Sequence, residues 1–123
     1  MPKKLLLVDD EPGLVLLTSS RLKANGFWVV GAYDAATCLE KAKQEKPDLI
    51  LLDVMMPKVD GYQTLAQLRN FPETKKIPVI MFSARAMEAD KERAIAAGAV
   101  GYVVKPFEPK VLVETIQQAL SLS

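Results

Sequence analysis

The feature that most constrains this chain is an alternation. Five short apolar runs, Lys4 to Asp9, Phe27 to Ala32, Asp48 to Asp53, Ile77 to Phe82 and Val100 to Val104, are separated by longer amphipathic segments. The runs are rich in Leu, Val and Ile, and polar residues do not alternate within them. Runs of this length and composition are strands buried on both faces. The segments between them carry helix signals. Pro12 suits a first helical turn, and Gly26 ends that segment after Asn25. Asp34 caps a helix reaching about Lys46 and stopped by Pro47, and Asp60 caps another, with Gln63 placed for a weak capping box. A fourth helix runs from about Met87 to Ala97 before Gly98. A fifth starts near Pro109, with Leu112, Ile116, Ala119 and Leu120 on one stripe.

Five β–α units in series imply parallel strands, right-handed crossovers and helices on both faces of one sheet. The expectation is a single α/β domain over residues 1–123, doubly wound, with no linker, repeat or second domain. A chain of 123 residues buries roughly two-thirds of its unfolded surface and needs no disulfide or metal staple. The one cysteine, Cys38, has no partner in the chain for a disulfide and fits a reducing compartment. No apolar run approaches the roughly 18 residues of a membrane span, and no signal peptide is visible. The expected location is therefore the cytoplasm.

Charge and composition narrow the chemistry. With 16 basic and 15 acidic residues the net charge is +1, which argues against direct nucleic-acid binding. The absence of histidine excludes Ser-His-Asp catalysis, His zinc ligation and imidazole proton shuttling.

Open α/β sheets bind ligands beyond the carboxyl ends of their strands. In this chain the first strand ends in Asp9-Asp10-Glu11, the third in Asp53, the fourth in Ser83 and the fifth in Val104-Lys105-Pro106. Three converging carboxylates repel, at about 4 kcal/mol per pair at 4 Å with an effective dielectric near 20. A hard divalent cation, Mg2+, and the lysine ammonium offset that repulsion. A metal, an ammonium and a carboxylate nucleophile together suit the handling of phosphoryl groups. Singly, each residue reads as well as a turn, a cap or a surface side chain; what carries the site is their placement at corresponding strand ends.

The ordered motifs Val8-Asp9-Asp10-Glu11-Pro12, Asp48-Leu49-Ile50-Leu51-Leu52-Asp53-Val54-Met55-Met56-Pro57, Asp60-Gly61, Met81-Phe82-Ser83-Ala84, Ala97-Gly98-Ala99 and Gly101-Tyr102-Val103-Val104-Lys105-Pro106-Phe107 resemble the receiver domain of bacterial two-component response regulators, the family of the chemotaxis response regulator. The resemblance covers essentially the whole chain. It implies a flavodoxin-like five-stranded sheet of order 2-1-3-4-5 with five helices. It implies that Asp53 accepts a phosphoryl group from a sensor histidine kinase or a histidine phosphotransfer protein. Asp9, Asp10, Asp53 and the backbone carbonyl of Met55 would bind Mg2+. Lys105 would contact the phosphoryl oxygens, Ser83 would be the switch hydroxyl and Tyr102 the aromatic that follows it. The Lys105–Pro106 bond is often cis in this family. The downstream output partner is left open.

Two positions that vary in the family flank the attacking water, and in this chain they are Met55 and Arg85. Met lacks an acceptor to orient water, and Arg can pair with phosphoryl oxygens, so slow self-dephosphorylation is expected. Val100-Gly101 stand where the dimerising transcription-factor branch usually carries an acidic pair, which argues against that salt-bridged dimer. Leu14, Val15, Leu16 and Leu17 are consecutive, so a helix leaves at least one outside; a docking patch and an isolated surface leucine fit equally. Three rival functions are a Mg2+-dependent phosphohydrolase, a receiver that binds partners without phosphorylation, and a flavin-binding domain. The first lacks a second carboxylate at Met55, and the last lacks a phosphate loop after the first strand.

Overall fold

A computed structural model describes residues 2–56 and 60–121; Pro57, the end of one sequence motif, lies outside them. The strands are β1 (Lys4–Val8), β2 (Trp28–Ala32), β3 (Leu49–Asp53), β4 (Val79–Ser83) and β5 (Gly101–Val104). The helices are α1 (Pro12–Ala24), α2 (Ala35–Glu45), α3 (Gly61–Arg69), α4 (Glu88–Ala96) and α5 (Pro109–Ser121). The sheet is parallel throughout, in the order β2-β1-β3-β4-β5.

Strand period divides the core. Leu6, Val8, Ile50, Leu52, Val79 and Met81 face one way, onto Cys38 and Ala42 of α2, Leu65 and Leu68 of α3 and Ala94 of α4. Leu5, Leu7, Leu49, Leu51, Ile80 and Phe82 face the other, onto Val15 and Leu22 of α1 and Leu112, Ile116 and Ala119 of α5. Each fully buried Leu or Ile contributes about 1.5–3 kcal/mol relative to an exposed one. Burial on both faces holds for β3 and β4 along their whole length and for β1 beyond Lys4. It fails at the edges: Trp28 on β2 is exposed, and β5 is only half-buried outside Val103. An edge strand has a neighbour on one side only, so its flanks meet solvent.

Helix ends follow the capping residues. The Asp34 carboxylate accepts the Thr37 N–H at 2.7 Å and the Asp60 carboxylate accepts the Gln63 N–H at 2.9 Å. Gly26 and Gly98 end α1 and α4 with φ of 90° and 105°, a region that strains any residue with a Cβ. The fourth strand starts later than expected, at Val79: Ile77 N–H bonds the Thr74 carbonyl and closes a turn, and the Pro78 carbonyl then accepts Ile50 N–H. Among the described residues no helix is long and apolar enough to cross a membrane.

Register sets up the site. Val8 pairs with Leu52, and Phe82 pairs with both Asp53 and Val103. Asp9, one residue past Val8, and Asp53, one past Leu52, therefore stand level at the carboxyl edge. Lys105 arrives beside them because its N–H bonds the Ser83 carbonyl at 2.8 Å, one step beyond the β4–β5 ladder.

Candidate functional site

Asp9 and Asp53 are almost wholly buried, at 1% and 2% exposure, and Asp10 is half-buried. One oxygen from each lies within 4.8 Å of the other two. Asp9 Oδ1 accepts the Glu11 N–H at 3.1 Å, and Asp53 Oδ1 accepts the Met55 N–H at 3.0 Å. Lys105 Nζ bridges the remaining oxygens, donating to Asp9 Oδ2 at 3.1 Å and to Asp53 Oδ2 at 3.2 Å. Each buried carboxylate is thus fixed by an amide of its own loop and by one shared ammonium. The Lys105 stem passes the Phe82 ring, with Nζ 4.8 Å from the ring centroid, and Phe107 packs edge-on against the same ring. The Lys105–Pro106 peptide bond is cis.

The charges do not balance. One ammonium faces three carboxylates, which leaves two negative charges uncompensated when all three are ionised. Burial pushes the Asp53 carboxyl up to about 6; the Met55 N–H and Lys105 pull it down, and the Asp9 charge pushes it further up. Burial also pulls on the Lys105 ammonium, but Asp9 and Asp53 together hold it above its ordinary value. A buried cluster of oxygen donors with excess negative charge and no nitrogen or sulfur ligand fits a hard cation such as Mg2+. Met55 itself is exposed.

Ser83 closes β4, 1% exposed, and its Oγ accepts the Arg85 N–H at 3.2 Å. Tyr102 lies half-buried on β5, and its hydroxyl donates to the Arg85 carbonyl at 2.7 Å. The Arg85 side chain turns to α4, where Nε donates to Asp90 Oδ1 at 2.8 Å. Asp90 is the residue at this site that sequence reasoning passes over. Arg85 and Asp90 are five apart across a loop-to-helix junction, a spacing that no helical i, i+4 rule flags.

Beside the cluster, α1 buries Val15 and leaves Leu16 and Leu17 71% and 53% exposed. Leu14 and Leu17 line a groove with Lys105, Pro106 and Phe107.

Comparison with known proteins places the fold within a family. The family model described as the response regulator receiver domain matches residues 5–117. The alkaline phosphatase synthesis transcriptional regulatory protein PhoP of Bacillus subtilis is 44% identical over 110 residues, covering 89% of this chain and 45% of that protein. The chain spans about half the length of the curated relatives it matches. The chemotaxis protein CheY4 of Vibrio cholerae superposes with a TM-score of 0.90 at 32% identity, over 97% of this chain and 99% of that one. The receiver domain of the sensor histidine kinase PA1611 of Pseudomonas aeruginosa, solved with a magnesium ion in its active-site cleft, superposes at 0.88 and 27% identity, over 98% and 99% of the two chains. Receiver domains are signalling modules of two-component systems, and this chain belongs to the response regulator receiver family.

Proposed function

We propose that this chain is a phosphorylation-driven switch that takes a phosphoryl group on Asp53 from a phosphohistidine donor protein. The observation that carries this reading is the buried Asp53 carboxylate, bonded to Lys105 and clustered with the Asp9 and Asp10 oxygens at the carboxyl edge of the sheet. Asp9, Asp10, Asp53 and the Met55 carbonyl would hold Mg2+. When bound, the ion supplies positive charge against the phosphoryl oxygens.

An Asp53 carboxylate oxygen attacks phosphorus, the phosphorus–nitrogen bond of the donor breaks, and its imidazole leaves with the electron pair and takes up a proton. Lys105 is already within bonding reach of Asp53 and neutralises charge on the transferred group. The acyl phosphate adds nearly two negative charges and strong acceptor oxygens. Ser83 turns its hydroxyl proton toward them. Tyr102 leaves the Arg85 carbonyl and moves inward, which biases the α4–β5–α5 surface between two pre-existing arrangements. A sensor histidine kinase or histidine phosphotransfer protein upstream and an output partner downstream complete the path. Met55 offers attacking water no strong acceptor, and Arg85 can cover phosphoryl oxygens, so the acyl phosphate is long-lived.

The test is incubation with acetyl phosphate, with and without Mg2+, for the wild type and Asp53→Asn. Stoichiometric labelling that disappears in the variant and without metal is the expected result. Labelling of Asp53→Asn would overturn the assignment. Sustained turnover of a phosphomonoester would point instead to a phosphohydrolase. For the lifetime, Met55→Asn is expected to lose phosphate faster than the wild type; equal rates would remove Met55 from that role.

A further inference from the structure

Arg85 is bonded to both residues assigned to the switch. Its N–H donates to Ser83 Oγ and its carbonyl accepts from the Tyr102 hydroxyl. Switching acts on both of these bonds: Ser83 reorients its hydroxyl toward the phosphoryl group, and Tyr102 turns inward and leaves the Arg85 carbonyl. The third tie of the same residue is its side chain, held at 2.8 Å by Asp90 in the first turn of α4. Asp90 Oδ2 is buried without a hydrogen-bond partner, so this carboxylate relies on Arg85 for its one strong bond. Arg85 and Met55, two residues beyond Asp53, line one cavity of about 180 Å3 with Asp60, Tyr62, Asp90 and Tyr102, among others. A side chain in that position can serve the Asp90 carboxylate, which it bonds, or a phosphoryl group on Asp53.

We propose that Asp90 is a positioning residue whose carboxylate latches Arg85, and with it the loop that carries Ser83, in the unphosphorylated arrangement. This rests on the assignment of Asp53 as phospho-acceptor. Removing the latch lowers the cost of switching and frees Arg85 for the phosphoryl oxygens, so both effects act in the same direction. An ion pair whose arginine is solvent-exposed, as Arg85 is, shifts such an equilibrium by roughly two- to fivefold.

The experiment titrates the full chain, in excess Mg2+, with beryllium fluoride as a stable phosphoryl mimic. Asp90→Asn is expected to bind it roughly two- to fivefold more tightly than the wild type, with Asp90→Glu restoring wild-type affinity. In an Arg85→Gln background, Asp90→Asn is expected to change nothing, because the partner is gone. Glu88→Gln removes a charge from the same helical turn without touching Arg85 and is expected to bind like the wild type. The Arg85 Nε–H resonance should move in Asp90→Asn before any mimic is added. Equal affinities of wild type and Asp90→Asn overturn the latch, as does an equal effect of Glu88→Gln or an undiminished effect in the Arg85→Gln background. If instead wild type and Asp53→Asn bind the mimic alike, the phospho-acceptor assignment itself falls and the latch with it.

Discussion

Lys105 Nζ sits 3.2 Å from Asp53 Oδ2, although 52 residues separate the two and β4 lies between their strands. One ammonium on a long stem reaches across the sheet edge to the central carboxylate and to Asp9 as well. That reach leaves the cluster short of positive charge, and the shortfall has consequences for stability with and without metal.

Without metal, Asp53→Asn should be more stable than the wild type at neutral pH. Asp53 has a folded value of about 6, against about 3.9 for an unfolded aspartate. A carboxyl raised on folding prefers to be protonated there, so its ionisation opposes folding. The destabilisation is absent below about pH 4, grows between pH 4 and 6, and is complete above. Urea unfolding at pH 7 should favour Asp53→Asn by on the order of 2–3 kcal/mol, and the gap should close as the pH falls to 4. A gap that stays constant across this range would rule out ionisation of the buried carboxyl as its cause.

Mg2+ should stabilise the wild type and do so far less in Asp10→Asn. An ion bound only by the folded chain adds about 2.7 kcal/mol at a hundred times its dissociation constant. Asp10 is one of three carboxylates in the cluster and the one without a lysine bond, so its loss removes a donor and leaves the Lys105 bridge in place. The measurement is the urea midpoint with and without Mg2+. Equal metal-induced shifts in both proteins would remove Asp10 from the ligand set.

Gly61→Ala should damage both fold and site. A Cβ there would lie 2.5 Å from the Asp53 carbonyl oxygen and 2.8 Å from Val54 Cα, both backbone atoms that cannot swing aside. Gly61 N–H also bonds the Val54 carbonyl at 2.7 Å, so α3 starts hard against the end of β3. The expected cost is about 2–4 kcal/mol by urea unfolding, less the fraction recovered by stiffening the unfolded chain. Labelling by acetyl phosphate should slow, since the displaced backbone is that of Asp53 itself.

The sequence made the strand ends legible because apolar runs stop abruptly at polar residues. Asp9, Asp53, Ser83 and Lys105 each stand at such a stop, and parallel register brings them to one edge. Asp34 and Asp60 announced their helices because a capping carboxylate has few other local uses. What was not legible depends on hydrogen-bond partners and sheet position that residue type alone does not specify. Ile77 is apolar enough for a strand, yet the turn through Thr74 claims its N–H. Trp28 has high strand propensity, and only its edge position explains its exposure, with the Lys4 ammonium 4.8 Å from its ring. Arg85 bonds the Asp90 carboxylate five residues on, across a loop-to-helix junction that no helical spacing announces.

The helix α1 follows Asp9-Asp10 directly, and on it Leu16 is 71% exposed and Leu17 beside it 53% exposed. Consecutive leucines cannot all reach the core from one helix, and Val15 takes the buried position. Leu16→Glu therefore removes no core contact and should change stability by less than about 0.5 kcal/mol. If a phosphohistidine protein docks on this face, a charge there opposes burial of apolar surface at the interface. Transfer from such a donor should then slow by roughly tenfold, the equivalent of about 1.4 kcal/mol. Labelling by acetyl phosphate, which needs no docking surface, should be unchanged in the same protein. That contrast separates a docking defect from damage to Asp53. An unchanged transfer rate would mean that Leu16 is an isolated surface leucine and that the donor binds elsewhere.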